Sequence, residues 1–490
     1  MMDLSEIALK YLEKIIIKLL GIKEGYIILF ILLISVFTRL YNLNNAPYFY
    51  IDEGFNAETA LGLMKTGEMV RYFYQEPVLS LQKPILHYIF LVASFKLFGF
   101  GIWQGRIISA LFGIGTTYLI YYFSRKYFGL KVAVITSLFY ISSSCAIYLD
   151  RSMKIDSQAT FFAFLSLILF YRAYSERNMK FSFISGIFYG LAMISKPTII
   201  YLILGNFIFL LIESARYKKI KENIILFFMF ICGSIVFYSP WIIYYFNHSS
   251  DSIVSTIGKT FIVGSLRSYG VTLADLFIHT FYSETIRFVG LIGLIYIALQ
   301  KKTVYRYFVS IILSGFIFYL FANVFLRDYL HLVHLLILIC AAIFLVELLN
   351  HEILTKRNFC IYIFVILICF SGLFVSNPSK VFYTPLMTDD VEIEAAKYLE
   401  KSVDENEIIF CNANIGVLSG KKYVPIDPTI KELTCQEIYE KFKPKYLVID
   451  RKVRVWGLPR HFSDCLDIEL IKTFGEREKE IEIYIIKGLK

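Results

Sequence analysis

Long apolar runs dominate this sequence and set the main limit on its fold. A helix needs about 17–25 apolar residues to cross the hydrocarbon core of a bilayer. Runs of about this length lie at 25–43, 105–124, 130–149, 157–174, 180–196, 197–214, 223–246, 284–300, 303–325, 329–349 and 358–376. Charged residues make up only 18% of the chain, against about 25% in soluble domains. The sequence therefore predicts a mainly α-helical, polytopic membrane protein with about 11 transmembrane helices.

The lysines and arginines indicate how these spans are oriented. The formal net charge is +10, but the basic residues stand in short clusters between apolar runs. This distribution is typical of membrane topology, so we expect no nucleic-acid partner. The clusters fall on one side if the short stretch Pro84–Phe98 is a helix lying on the outer surface rather than a span. The N-terminus is then cytoplasmic and the C-terminal tail extracytoplasmic.

The last hundred residues differ in character from the rest of the chain. Charge density rises, and patterns of helix and strand alternate at 389–401, 407–411, 434–442, 445–450 and 481–486. This alternation predicts a small α/β domain. We therefore expect a transmembrane domain over 1–384, with a first external loop at about 44–104, and a soluble extracytoplasmic domain over 385–490. The tail contains Cys411, Cys435 and Cys465, and their odd number leaves any disulfide pairing open.

Two adjacent carboxylates, Asp52 and Glu53, follow the first span. Charge is costly near hydrocarbon, so a pair at the membrane surface needs an explanation. In one interpretation Asp52 caps the helix that follows, and Glu53 interacts with the positive end of its dipole. In the other, a carboxylate on the outer face takes the proton from an acceptor hydroxyl. Local chemistry by itself favours the capping interpretation.

Five cations on the predicted outer side form a second group of candidates. Positive charge is normally sparse on that side, and a shared anionic ligand such as a lipid phosphate would explain the excess. The five are Lys83, Arg151, Lys154, Lys196 and Arg327. Asp156 ends the short charged link that contains Arg151 and Lys154, and it is a third acidic candidate. Each of these residues also has a structural explanation, as part of a polar turn or as a helix cap.

A divalent metal ion is a further candidate ligand of the outer side. Histidine and carboxylate side chains there offer the right donor atoms, namely those of His87, His279, His331, His334, Glu76 and Glu284. A single histidine near a membrane is more often a hydrogen-bonded interface residue. The sequence indicates no other cofactor.

An ordered set of short motifs runs through the first two hundred residues. They are Asp52-Glu53-Gly54-Phe55-Asn56-Ala57-Glu58-Thr59-Ala60, Met64-Lys65-Thr66-Gly67-Glu68, Gln75-Glu76-Pro77, Lys83-Pro84, Phe95-Lys96-Leu97-Phe98-Gly99, Gly105-Arg106-Ile107-Ile108-Ser109-Ala110-Leu111-Phe112-Gly113, Arg125-Lys126-Tyr127-Phe128-Gly129, 151–156 and Ser195-Lys196-Pro197. In these motifs the chain resembles the family 39-type glycosyltransferases. That family includes the dolichyl-phosphate-mannose protein mannosyltransferases and the lipid A aminoarabinose transferase. The later spans resemble it in outline.

The resemblance implies a fold, a reaction and roles for particular residues. Members of the family have the GT-C fold, take a sugar from a polyprenyl-phosphate carrier on the outer face and invert its anomeric centre. Carried over by position, Asp52 is the base, Glu53 supports it and Asp156 is the second acidic residue. Lys83 and Arg327 hold the carrier phosphate. The family often has Lys-Gly-Pro where this chain has Ser195-Lys196-Pro197, so its glycine is missing here.

The sequence thus predicts an integral membrane glycosyltransferase with a polyprenyl-phosphate-linked sugar as donor. The acceptor is a hydroxyl of a protein, a lipid or a glycan, and the sequence does not choose among them. One alternative is a polytopic transporter or lipid flippase. Transporters usually carry repeated halves with interrupted helices, and we find no such repeat in the sequence. Another alternative is a catalytically silent GT-C relative that binds the lipid carrier without turnover.

Overall fold

Helices form most of the part of the chain that the computed structural model describes. This part comprises residues 24–47, 49, 51–73, 76–81, 83–248, 285–320, 331–350, 391–426, 434–450, 453–454, 462, 464–475 and 480–490. The helices are α1 (Glu24–Leu40), α2 (Ile51–Thr66), α3 (Leu86–Phe98), α4 (Ile102–Phe128), α5 (Leu130–Ser142), α6 (Ser144–Asp150), α7 (Asp156–Glu176), α8 (Met179–Met193), α9 (Tyr201–Tyr217), α10 (Ile220–His248), α11 (Thr285–Leu299), α12 (Thr303–Leu320), α13 (His331–Asn350), α14 (Val391–Ser402), α15 (Ala413–Ser419) and α16 (Cys435–Phe442). The strands are β1 (Val70–Phe73), β2 (Glu76–Leu79), β3 (Ile409–Cys411), β4 (Tyr423–Pro425), β5 (Tyr446–Ile449), β6 (Leu466–Phe474) and β7 (Ile481–Leu489).

Several described helices have the length and hydropathy of membrane spans. Four meet both criteria within the described residues: Ile102–Phe128, Pro197–Tyr217, Ile220–His248 and His331–Leu349. The bent pair α5 and α6 would make a fifth, and shorter apolar helices include α3, α8, α11 and α12. The fold class predicted from the sequence, a mainly helical membrane protein with a small sheet domain near the C-terminus, is confirmed. The number of spans and their orientation stay predictions, and the apolar run at 358–376 lies outside the described residues.

The run at 130–149 does not form the single straight helix that its hydropathy suggests. Helix α5 ends at Ser142, and α6 leaves it at an angle of 65°. Ser143 has an extended backbone (φ −63°, ψ 119°), and its side chain accepts a hydrogen bond from the backbone N–H of Ala146. A serine in this position satisfies an N–H at the start of α6. The run therefore bends at a helix cap.

The contacts divide the chain into two compact units. The helical unit contains Met1–Tyr41, Ser109–Arg151 and Ile155–Pro385, and the loop–tail unit contains Asn42–Ile108, Ser152–Lys154 and Leu386–Lys490. The first external loop thus groups with the C-terminal tail. The sequence predicts a domain boundary at residue 385, and the two domains on either side of it stay a prediction.

In the helical unit, glycines allow two helices to approach closely. A Cβ atom added to Gly186 of α8 would collide with the carbonyl oxygen of Phe230, and one added to Gly233 of α10 would collide with that of Phe183. Small residues at such crossings let the backbones of membrane helices come into contact. Helices α8 and α10 are therefore packed backbone to backbone.

In the loop–tail unit, the tail forms a sheet with helices on both faces. The strand order is β4-β3-β5-β7-β6, with β3 parallel to β4 and β5, and β7 antiparallel to β5 and β6. Alternate residues of a strand face opposite sides. Phe410 and Leu447 pack with the Ile438 side of α16, whereas Ile409 and Val448 pack with α14 and α15. The α/β tail predicted from the sequence is thus a three-layer structure.

The same unit contains the loop that carries the two carboxylates. Strands β1 and β2 form a small antiparallel pair, and α2 packs against α3, β1 and the tail helix α15. At about 1.5 Å per residue, the 13 residues of α3 reach about 20 Å. This length is short of the ~30 Å hydrocarbon core. It suits the surface position predicted for Pro84–Phe98, which stays a prediction.

Candidate active site

Glu53 and Arg106 form a buried ion pair in the loop–tail unit. Both side chains are 0% exposed. The guanidinium donates from Nε to Oε2 and from Nη2 to Oε1, each at 2.9 Å. The same guanidinium also donates to the backbone carbonyls of Leu43 and Pro47. Paired, bidentate geometry of this kind is the strongest form of Arg–carboxylate contact. Glu53 therefore fixes the chain that leads into α2.

Glu53 also holds the short charged link further along the chain. The backbone N–H of Met153 donates to its Oε2 at 2.7 Å. Both carboxylate oxygens are thus engaged by protein donors. A carboxylate bound in this way is poorly placed to accept a proton from an incoming hydroxyl, because the hydroxyl must come within hydrogen-bond reach of an oxygen.

Asp52 stands in the same first turn but in a different environment. Its side chain is 40% exposed. The ammonium of Lys83 lies 3.6 Å from Oδ1, and that of Lys154 lies 3.7 Å from Oδ2. These distances are longer than ordinary hydrogen bonds. Because α2 begins at Ile51, Asp52 lies inside its first turn. It is therefore not the N-cap that the capping interpretation predicted. The arrangement presents an accessible carboxylate between two cations.

Asn56 organises the surroundings of Asp52. It lies four residues later on α2, a spacing that puts both side chains on one face of the helix. Its Oδ1 accepts a hydrogen bond from Lys83 Nζ at 3.1 Å, and its Nδ2 donates to the carbonyl of Met153 at 2.7 Å. Tyr88 of α3 also donates to Oδ1, at 3.4 Å. One amide thus ties both lysine-bearing segments to the helix that carries Asp52.

The remaining candidates belong to the helical unit. Asp156, in the first turn of α7, pairs with Lys196, and both side chains are buried. Arg151 is fully buried and donates from Nη1 to the carbonyl of Thr38. A second buried pair joins Arg39 to Asp150 at 3.1 Å. The charges of the short link from Asp150 to Asp156 are therefore largely buried, in contrast to a plain solvated turn.

The structure thus brings together Asp52, Lys83 and Lys154, and separately Asp156 and Lys196. Arg327 lies outside the described residues. Sequence reasoning missed Asn56 and Arg106 as partners of the site. For Arg106 a signal was present, because a charge inside an apolar run usually has a partner. For Asn56 no local signal distinguishes it from any other polar residue of a surface helix.

The metal considered from the sequence has no candidate site in the described part of the chain. No group of three or more His, Cys, Asp or Glu side chains there could hold an ion. His279 and Glu284 lie outside the described residues. His331 and His334 are buried in α13.

Sequence comparisons point to one family of enzymes. A family model described as dolichyl-phosphate-mannose-protein mannosyltransferase matches residues 82–244. An uncharacterized protein of Aquifex aeolicus is 27% identical over 169 residues, 34% of this chain and 34% of that protein. "Putative mannosyltransferase YkcB" of Bacillus subtilis is 25% identical over 203 residues, 39% of this chain and 27% of that protein. The matches thus span about a third or less of these curated relatives.

Structural comparisons extend the similarity to nearly the whole chain. ArnT from Cupriavidus metallidurans bound to undecaprenyl phosphate superposes with a TM-score of 0.65 and 12% identity, over 94% of this chain and 98% of that one. The archaeal oligosaccharyltransferase AglB from Archaeoglobus fulgidus, in complex with an inhibitory peptide and a dolichol-phosphate, gives a TM-score of 0.58 and 12% identity, over 93% and 74%. The family match over residues 82–244 confirms the resemblance seen in the motifs. Over about a third of its length the chain is similar to the dolichyl-phosphate-mannose-protein mannosyltransferases, and it shares its fold with ArnT and AglB.

Proposed function

We propose that this chain transfers a sugar from a polyprenyl-phosphate carrier to an acceptor hydroxyl, with inversion, on the outer face of a membrane. The printed descriptions of the neighbours support the donor class, since one is bound to undecaprenyl phosphate and another to a dolichol-phosphate. The acceptor is a hydroxyl of a protein, a lipid or a glycan. Because AglB binds a peptide in its structure, the test described below includes peptide acceptors.

This proposal rests on the different environments of the two adjacent carboxylates, Asp52 and Glu53. Glu53 is buried against Arg106, and its oxygens already accept protein hydrogen bonds. Asp52 is 40% exposed and has cations at ion-pair distance. A general base needs access to the proton that it removes. Asp52 meets that condition. Glu53 supports Asp52 by holding the start of α2 in place.

The two lysines beside Asp52 suit a phosphate-bearing donor. A lysine acts on phosphate as a mobile point charge, and the ammonium groups of Lys83 and Lys154 lie beyond hydrogen-bond distance of Asp52. Their positive charges lie beside Asp52, where the proposal places the donor phosphate. Lys196 and Asp156 form a buried ion pair within the helical unit, and the roles that the resemblance gives them stay predictions. The buried contact of Arg151 with Thr38 favours a structural role for that residue.

The proposed reaction is a single displacement. The acceptor hydroxyl gives its proton to the Asp52 carboxylate as its oxygen bonds to the anomeric carbon. The bond from that carbon to the phosphate oxygen breaks, and its electron pair leaves with the polyprenyl phosphate. Positive charge on Lys83 and Lys154 stabilises the negative charge that grows on the leaving group. Attack from the opposite side inverts the anomeric configuration.

The test is transfer by purified protein in lipid nanodiscs, with polyprenyl-phosphate-[14C]mannose as donor and a panel of peptide, glycolipid and glycan acceptors. Asp52→Asn should lower kcat by about 100-fold or more, because a general base contributes about 10²–10⁴. Glu68→Gln, an exposed acid of the same loop, is the matched control and should keep full activity. Near-normal transfer by Asp52→Asn would contradict the proposed base.

The same experiment separates the two alternatives kept from the sequence. A catalytically silent relative would bind the labelled donor without forming product on any acceptor of the panel. A transporter or flippase would move the labelled lipid between leaflets, without forming a product. Lys83→Gln should raise KM for the donor more than it changes KM for the acceptor, because the proposal gives Lys83 the phosphate.

A further inference from the structure

Helix α2 presents different faces to different partners. Successive residues of an α-helix are about 100° apart, so residues two apart face nearly opposite sides and residues four apart share a side. Asp52 and Asn56 face the lysines. Gly54 and Glu58 face the C-terminal tail within the same compact unit. The helix that carries the proposed base is therefore held between the loop and the tail.

Asn414 of α15 lies directly against the start of α2. Its side chain is 0% exposed. Its Nδ2 donates to the carbonyl of Phe49, just ahead of α2, at 3.1 Å, and to Glu392 of α14 at 2.7 Å. A Cβ atom on Gly54 would lie 2.5 Å from Asn414 Oδ1 and 3.3 Å from its Cα. A side chain at position 54 would therefore force Asn414, or one of the two helices, to shift.

A second contact lies one turn further along α2. Tyr423 of β4 is partly buried, and desolvation together with the charge of Glu58 raises the pKa of its phenol well above the ordinary value. Its hydroxyl therefore keeps its proton beside the carboxylate. Arg71 approaches the same Glu58 at 3.4 Å and lies 3.9 Å above the ring of Phe55. The tail thus meets α2 at two successive turns of one face.

We infer that Asn414 is a positioning residue for the transfer reaction and that Gly54 is the site on which it acts. Asn414 holds the first turn of α2, and with it Asp52, at the distance from Lys83 and Lys154 that the reaction needs. Through this one contact the tail domain helps to position the base, although Asn414 touches no substrate. This inference rests on the proposed function of Asp52, and its test includes a measurement that does not depend on turnover.

The kinetic test compares two single variants with their combination. Gly54→Ala should lower kcat by about 100-fold, the effect expected of a misplacement of about 1 Å. Asn414→Ala should lower kcat by about tenfold, since it removes the tie to Phe49. Donor KM should stay within about twofold in both. In the double variant the shortened side chain at 414 makes room for the new Cβ, so kcat should recover by about tenfold over Gly54→Ala alone.

Gly488→Ala is the matched control. It lies on β7 of the same tail domain and has no atom within 4 Å of an added Cβ. It should leave kcat and KM unchanged. Additive losses in the double variant, or an equal loss in Gly488→Ala, would contradict a specific contact between Gly54 and Asn414.

Hydrogen exchange measured by mass spectrometry tests the positioning role of Asn414 without depending on activity. In Asn414→Ala, amides of α2 should exchange faster, whereas those of β5 in the core of the tail should keep their protection. Unchanged exchange in α2, or equal loss of protection throughout the tail, would overturn the positioning role. A wild-type protein without turnover would contradict the proposed function instead, and the exchange result would still decide this inference.

Discussion

At the scale of single residues, Asp52 and Glu53 show how neighbours in sequence acquire different tasks. Both were candidates for one catalytic role, with Glu53 as the support of Asp52. The structure gives Glu53 a buried arginine 53 positions away and leaves Asp52 accessible. Local chemistry could not distinguish them, because the distinction depends on Arg106 and Met153, which are distant in the chain.

This difference predicts opposite effects of two similar substitutions on stability. Glu53→Gln leaves the Arg106 guanidinium buried without its counter-charge, and breaking a buried ion pair costs about 3–5 kcal/mol. We expect a clear fall in the melting temperature of the purified protein. Asp52→Asn removes a partly exposed charge and should leave that temperature nearly unchanged while activity is lost. Equal melting temperatures for the two variants would contradict the assignment of Glu53 as the structural member of the pair.

At the scale of elements, the sequence predicted the apolar helices well because each needs only a local run of residues. It missed the break at Ser143, because a single cap leaves the hydropathy of the run unchanged. It missed β4, which has only three residues, and β6, which is mostly exposed and so lacks a clear alternation. It also could not group α2 with α15, because that packing joins residues more than 350 positions apart.

Helix packing in the helical unit leads to a prediction at the same scale. Gly186→Ala adds a Cβ against the carbonyl of Phe230, so α8 and α10 must move apart. Overpacking of this kind costs about 1–3 kcal/mol. The melting temperature in detergent should fall relative to Gly25→Ala, a helical glycine of α1 with nothing within 4 Å of an added Cβ. A fall of equal size in both variants would show that the close approach of α8 and α10 is not the cause.

At the scale of the whole molecule, a disulfide bond in the C-terminal tail is relevant to the membrane topology of the chain. The sequence left the pairing of three tail cysteines open, and the structure joins Cys435 to Cys465 and leaves Cys411 buried with a free thiol. The disulfide links the start of α16 to the turn before β6. Such bonds persist in oxidising compartments and are rare in the cytosol. The disulfide therefore supports an extracytoplasmic tail and, with an odd number of spans, a cytoplasmic N-terminus, both of which stay proposals.

The oxidation state of this pair in cells tests that topology. Membranes from cells quenched in acid should be denatured and labelled with a maleimide–polyethylene glycol reagent, before and after reduction. If the tail is extracytoplasmic, reduction should expose two further thiols in the wild type and none in Cys435→Ser/Cys465→Ser. Because the bond closes a loop of 30 residues, its loss should also destabilise the tail by about 3–4 kcal/mol, seen as faster exchange in β5 and β7. Full labelling of the wild type before reduction would indicate a reduced pair and would contradict the outer position of the tail.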